Sequence, residues 1–357
     1  MTQLEHIMRV LGALRMRMPF PRLLAMIAAV TVVGCASPGP APVHYSERVP
    51  VDGARLYMEV RGEDRNAPVL LWLHGGPGGA ERPLFRYFNG ALEKHFVVAY
   101  LDQRGAGLSY DPDADTSRLT VAQHLADLDV VVDRLRSSLK QDKVILVGHS
   151  WGTVLGLLYT AAHPVKVAAY IGVSQVVATK PQQALEYAWD RQQAVAHGDK
   201  SALKKLGDIG APPYDDSRDV LALGNITNRF TDPDVHEPNQ MGVALAGIAR
   251  GLIAPWDIGK LIQANNVSLA AMNRELQTLD LRRSVKSVNV PVFFFLGRHD
   301  HHVDARLAAD YFDTLTAPSK HLVWFEHSAH NIPFEEPAAF NEAVVTAMNM
   351  TPGVRPD

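Results

Sequence analysis

Apolar positions along this chain fall into short solid blocks, separated by longer stretches in which they recur every three or four residues. Residues 69–73, 96–101, 143–147, 167–173, 292–296 and 322–325 are blocks of the first kind, bounded by polar or turn-forming residues. A short apolar run so bounded predicts a strand buried on both faces. Between the blocks, residues 120–139 place Leu125, Leu128, Val131, Val132 and Leu135 on one helical face. Residues 154–160 continue as a second helix that closes at His163-Pro164, and residues 305–315 and 337–348 read as two more. Ahead of all of these, residues 46–51 and 56–61 flank Asp52-Gly53 and predict an antiparallel hairpin. Strands that alternate with helices imply a mainly parallel sheet with helices on both faces.

Between Val173 and Val290 the pattern changes. Glutamine, asparagine, alanine and helical periods dominate, strong strands are missing, and Ile209-Gly210-Ala211-Pro212-Pro213 is a clear break. A stretch of about 110 residues is far too long for an ordinary loop. It reads as a helical cap inserted into the core, with an independent second domain as the alternative; the sheet pattern resumes afterwards, which favours insertion. The expected organisation is a core in two parts, residues 43–176 and 289–350, around a cap at residues 177–288.

With 357 residues and a formal net charge of −3, the chain can bury a large core but has no basic footprint for nucleic acid. Its N-terminus differs from the rest. Arg9, Arg15, Arg17 and Arg22 precede an apolar run at residues 23–33, followed by Gly34-Cys35-Ala36-Ser37. The run is too short to span a bilayer comfortably but suits the apolar region of a signal peptide. Its end resembles the lipobox of bacterial lipoproteins. Cys35 is the only cysteine, so no intrachain disulfide can form. Residues 1–35 are therefore expected to be a signal ending at a lipidated Cys35, with Met16 and Met18 as alternative starts. Residues 36–42 form a proline-rich tether. The mature protein would be extracytoplasmic and held to a bacterial membrane by its lipid, the outer membrane if the host has one. An ordinary secretory signal or an uncleaved anchor is the alternative.

The chemistry centres on Gly148-His149-Ser150-Trp151-Gly152, between a predicted strand and a predicted helix. This is the Gly-x-Ser-x-Gly elbow, which lifts a serine Oγ above the sheet at a helix N-terminus. Serine alone is a weak nucleophile and needs a base, which in turn needs an orienting acid. Ligands bind beyond the carboxyl ends of strands in such sheets. Asp300 lies just past the block at 292–296, and His330 past the last block. The order Ser150, Asp300, His330 is that of the α/β-hydrolases. His327 is the rival base, and Asp304, which also suits a helix N-terminus, the rival acid. His299, His301 and His302 could suggest a metal site, but adjacent histidines point different ways and no second ligand group stands out. No metal or cofactor is expected. An oxyanion also needs two backbone N–H donors. Trp151 is one; Gly76, in His74-Gly75-Gly76-Pro77-Gly78-Gly79, is the other, with Gly75 as the alternative.

His74-Gly75-Gly76-Pro77-Gly78, then Asp102-Gln103-Arg104-Gly105-Ala106-Gly107-Leu108-Ser109, then the elbow with its tryptophan resemble the prolyl aminopeptidase (proline iminopeptidase) family of α/β-hydrolases. The resemblance covers residues 46–173 and 291–348. It implies an α/β-hydrolase fold and metal-free release of N-terminal residues, typically proline, from short peptides. It also implies that the loop at residues 102–109 supports the site from below, with Arg104 structural. In the family, cap glutamates near tryptophan hold the substrate's free amine, a task for a carboxylate facing an ammonium. Between residues 174 and 288 no clear Trp-Glu pair occurs. Asp190 after Trp189, Asp257 after Trp256, and Glu186 are the substitutes, each otherwise a helix-surface charge. The alternatives are a carboxylesterase or lactonase of the same fold and, remotely, a non-catalytic binding protein. Dehalogenase and epoxide hydrolase readings are disfavoured, because those enzymes use aspartate where Ser150 stands.

Overall fold

The computed structural model describes residues 41–354 except Asn239; the signal sequence and Cys35 expected above lie outside the described residues. Eight strands form one sheet: β1 (Val43–Val51), β2 (Ala54–Gly62), β3 (Val69–Leu73), β4 (Val97–Leu101), β5 (Val144–His149), β6 (Val167–Val173), β7 (Val292–Gly297) and β8 (Lys320–Phe325). Their spatial order is β1-β2-β4-β3-β5-β6-β7-β8. β1 and β2 pair antiparallel around Asp52-Gly53, and β2 pairs antiparallel with β4. From β4 through β8 every pairing is parallel. This is the α/β-hydrolase fold that the sequence predicts.

Two-sided burial explains the solid apolar blocks of β3 to β7; the block at 322–325 is the exception, because β8 lies at the sheet edge and leaves Leu322, Val323 and Trp324 half-buried. On β3, Leu71 and Leu73 enter one core layer while Leu70 and Trp72 enter the other. β7 does the same, with Phe294 and Leu296 on one side and Phe293 and Phe295 on the other. All three phenylalanines are fully buried, each contributing about 1.5–3 kcal/mol relative to exposure. The first layer is closed by α2 (Val121–Leu139), α3 (Trp151–Ala162) and α10 (Ala305–Thr314). The second is closed by α1 (Arg82–Asn89), the short α11 (Ile332–Glu335) and α12 (Pro337–Asn349), with Phe85 stacked on Trp72 at 3.8 Å between ring centroids. Thr120 caps α2 by accepting the Gln123 N–H, which places the helix start at Val121. The helix α1 has no counterpart in the sequence reading: at eight residues, Arg82–Asn89 spans barely two turns, too short for its apolar Leu84, Phe85 and Phe88 to declare a period.

Between β6 and β7 the α-helices among the described residues are α4 (Thr179–Ala196), α5 (Lys200–Ile209), α6 (Ser217–Thr227), α7 (Gln240–Ala249), α8 (Ile258–Leu276) and α9 (Leu281–Ser284), joined by irregular segments. Ala194, Ala202, Leu206, Tyr214, Leu223 and Ile226 form a small apolar cluster of their own. α5 stops where the proline-rich break begins, at Gly210 with φ 71°. The two ends of the insert meet at a neck. Ala178 and Asp280 form an antiparallel bridge, Leu281 N–H donates to the Val177 carbonyl at 2.7 Å, and Thr179 N–H donates to that of Leu279 at 3.2 Å. No helix among the described residues is long and apolar enough to cross a membrane.

Candidate active site

Ser150 stands between the last residue of β5 and the first of α3, with φ 52° and ψ −121°. Serine rarely adopts that backbone conformation, and it persists because its surroundings fix it. The Ser150 N–H donates to the Val173 carbonyl at 3.0 Å, and its carbonyl accepts from Thr153 N–H at 2.9 Å. The flanking glycines are required by close approach. A Cβ on Gly148 would lie 2.5 Å from the Gly152 carbonyl oxygen, and one on Gly152 would overlap the Leu73 carbonyl. Trp151 opens α3, so its backbone N–H has no intrahelical acceptor.

Asp300 follows β7 and His330 follows β8. The end of β7 packs so tightly on the His330 loop that a Cβ on Gly297 would overlap the Ala329 carbonyl. Asp300 Oδ2 is 3.0 Å from His330 Nδ1, while Oδ1 accepts the Val303 N–H at 2.8 Å. An Nδ1–H that donates to a carboxylate leaves Nε2 free to take a proton. Burial pushes the Asp300 carboxyl up, but the His330 charge and hydrogen bond outweigh it and hold it below the usual range. Burial pulls the His330 imidazole below its ordinary value against the attraction of Asp300, and His302 and His149 lower it further.

The rival residues have other partners. His327 stacks on His236 at 4.8 Å, and Asp304 caps α10 by accepting the Leu307 N–H at 2.9 Å. The three neighbouring histidines diverge. His299 lies 3.1 Å from Asp232, His301 stacks on Trp189 at 4.1 Å, and His302 Nδ1 lies 2.7 Å from Glu186 Oε1.

The supporting loops are tied to one another residue by residue. Trp151 Nε1–H donates to Gln103 Oε1 at 3.0 Å, and Gln103 Nε2–H to the His74 carbonyl at 2.9 Å. His74 Nε2 accepts the Gln103 N–H at 3.0 Å, so its Nδ1–H donates to the Gly75 carbonyl at 2.8 Å. Arg104 makes a two-point pair with the buried Asp127 at 2.7 and 2.9 Å, which is a structural task. Gly75 passes directly beside the nucleophile position: a Cβ there would lie 3.2 Å from Ser150 Cβ. Gly76, the next residue, has φ 122°, which favours glycine.

Of the three cap acids, two come near His330 and one does not. Glu186 and Asp190 are buried on α4, bridged by Thr227 Oγ1 at 2.8 and 3.0 Å. Glu186 also pairs with His302, whose ring meets that of His330 edge to face at 4.8 Å. Burial and the nearby Glu186 charge push the Asp190 carboxyl up to about 7. Burial lowers His302, but Glu186 outweighs it and raises the imidazole to about 9. Asp257 faces Lys260 at 3.8 Å and lines a separate hollow with Glu59, Arg82 and Asp102.

Three residues beside the site escaped the sequence reading. His149 is buried, with Nδ1 2.8 Å from Glu81 Oε1 and Nε2 3.0 Å from the His330 carbonyl oxygen. Ser174 Oγ–H donates to that same carbonyl at 2.8 Å. The available signals were an ionisable residue inside the elbow motif and an acid at the start of a proline-containing helix.

Residues 68–208 match the family model described as the alpha/beta hydrolase fold. The chain is 29% identical over 293 residues to the probable aminopeptidase YbaC of Bacillus subtilis, spanning 81% of this chain and 92% of that protein. It is 25% identical over 315 residues to the proline iminopeptidase of Heyndrickxia coagulans, spanning 84% and 97%. Among solved structures, a proline iminopeptidase-related protein from Thermus thermophilus superposes with a TM-score of 0.59 at 21% identity, over 86% of this chain and 98% of that one. The chain is a hydrolase of the α/β-hydrolase fold, similar over most of its length to enzymes named aminopeptidase and proline iminopeptidase.

Proposed function

We propose that the chain is a serine hydrolase that releases N-terminal residues, proline among them, from short peptides. Ser150 Oγ attacks the carbonyl carbon as His330 Nε2 takes its proton. Asp300 orients the imidazole and stabilises the imidazolium. The backbone N–H groups of Gly76 and Trp151 hold the oxyanion, and His330 protonates the leaving amine. Water then cleaves the acyl-enzyme with His330 as base again. The observation that carries this reading is the 3.0 Å Asp300–His330 pair, past the carboxyl ends of β7 and β8 in the same parallel sheet whose β5 leads into Ser150 in its strained turn.

The exopeptidase part is supported by Glu186 and Asp190, a buried acidic pair one imidazole away from His330. A substrate ammonium placed there would pair with Asp190, whose Oδ1 is buried without a partner. One observation favours a second reading, a carboxylesterase: Glu186 already spends its charge on His302. A parallel assay of aminoacyl arylamides, proline included, against short acyl esters decides between them. Turnover of the arylamides supports the peptidase, and turnover of the esters alone rejects it. We further propose that Cys35 carries a lipid and holds the enzyme to a bacterial membrane outside the cytoplasm, the outer membrane if the host has one. Mass spectrometry of the N-terminal peptide from membranes is expected to find a diacylglyceryl Cys35 as the first residue. An unmodified Cys35 with upstream residues still attached rejects the anchor.

A further inference from the structure

His149 raises a proton-counting question. Its Nε2 meets the His330 carbonyl, which can only accept, and its Nδ1 meets the Glu81 carboxylate. An imidazole between two acceptors must carry hydrogen on both nitrogens, so it is a cation unless Glu81 holds a proton itself. A buried cation of this kind is tolerated only beside its counter-charge, 2.8 Å away. The Glu81 charge accordingly raises His149 against the effect of burial, and His149 lowers Glu81. The other ionisable groups acting on the pair are His74, His330, Asp300 and Glu335.

The target of this cation is informative. The His330 carbonyl receives two donors, His149 Nε2–H at 3.0 Å and Ser174 Oγ–H at 2.8 Å. Beside it, Glu335 Oε2 accepts the Ala329 N–H at 2.9 Å. The His330 carbonyl and the amide of the residue before it are thus both held. Ser174 is itself held at φ 50° directly after β6.

We propose that Glu81, His149 and Ser174 are positioning residues for His330: a buried carboxylate–imidazolium pair and a hydroxyl fix its carbonyl, so that its ring presents Nε2 towards Ser150. The inference rests on His330 being the base. With Asp300 setting the ring's plane and these donors setting its root, little freedom remains at the group that must move a proton.

The resting enzyme with ¹⁵N-labelled histidine is expected to show, besides His302 on its Glu186 partner, a second imidazole protonated on both nitrogens at neutral pH, and that signal should be missing in His149→Gln. A neutral His149 in the parent overturns the proposal by itself, whatever the substrate proves to be. On the ester or arylamide that the parent turns over, Glu81→Ala is expected to lower kcat about ten- to hundredfold, with KM changed less than about threefold. Glu81→Gln can donate to Nδ1 of a neutral His149 and so keep Nε2–H on the carbonyl. It should recover most of the lost kcat. Its acidic limb of kcat/KM should move to higher pH, because the positive neighbour that lowers His330 is gone. Fluorophosphonate labelling of Ser150 should slow in parallel in Glu81→Ala, and it requires no substrate. A folded Glu81→Ala with the parent's kcat and labelling rate overturns the proposal. If that variant does not fold, an unmoved acidic limb in Glu81→Gln does so. Loss of arylamide turnover in the parent, with labelling and nitrogen spectra as expected, counts against the peptidase reading alone.

Discussion

The elbow and the insert solve different problems with different materials. Around Ser150, backbones approach so closely that Gly148, Gly152 and Gly297 have no room for a Cβ. In the insert, Gly198, Gly207, Gly251 and Gly259 face open space. Glu186 and Asp190 are held there by side chains alone: a threonine hydroxyl and an imidazole. Geometry set by main-chain packing admits few sequences. Geometry set by side-chain pairs admits many, because another residue one turn away can carry the same charge. On the proposed reading, bond-making would sit where substitution is hardest and substrate choice where it is easiest.

That contrast can be broken by experiment. Ser150→Ala should lower kcat by about six orders of magnitude, and a fluorophosphonate should label Ser150 in the parent; labelling of another serine would move the nucleophile. His330→Ala should cost nearly as much, about six orders of magnitude, whereas His327→Ala, which loses a stack on His236, should keep most turnover. A reversed ranking in steady-state kinetics would reassign the base. In the insert the effects should be smaller and confined to amine-bearing substrates. Asp190→Asn should raise KM for an aminoacyl arylamide about tenfold and leave ester hydrolysis alone. Asp190 titrates at about 7 and must be ionised to attract an ammonium. The parent's arylamide kcat/KM should therefore rise with pH through about 7, and this limb should vanish in Asp190→Asn. For esters the limb should lie lower, below the ordinary histidine value, because only His330 must lose its proton. Asp257→Asn, which loosens a surface pair with Lys260, should change either activity less than about twofold. A larger loss would bring Asp257 into the binding site.

The same contrast explains what could be read from the chain alone. The strands were legible because two-sided burial leaves blocks such as Phe293-Phe294-Phe295. Asp300 and His330 were legible because they stand just past strand ends, where a local pattern locates them. Trp256-Asp257 matched a tryptophan-acid pattern as well as Trp189-Asp190 did, yet only Asp190 packs near His302. Nothing local separates the two, because their positions depend on how the helices of the insert cross. Glu81 was missed for a related reason. It precedes a short helix as an ordinary N-terminal acid, but makes no cap hydrogen bond and turns to a histidine 68 positions away. Pairing over that distance is set by the β3–β5 neighbourhood in the sheet and leaves no spacing to find.

The neck at Ala178 and Asp280 has an evolutionary corollary. It closes a loop of about a hundred residues, and doubling such a loop costs only about 0.6 kcal/mol in closure entropy. β6 and β7 pair in register, Tyr170 with Val292 through Val173 with Phe295, whatever lies between them. The insert is therefore a cassette. Recombination at the neck could exchange it for one of another length and composition, so that a lineage can change its diet without rebuilding its teeth.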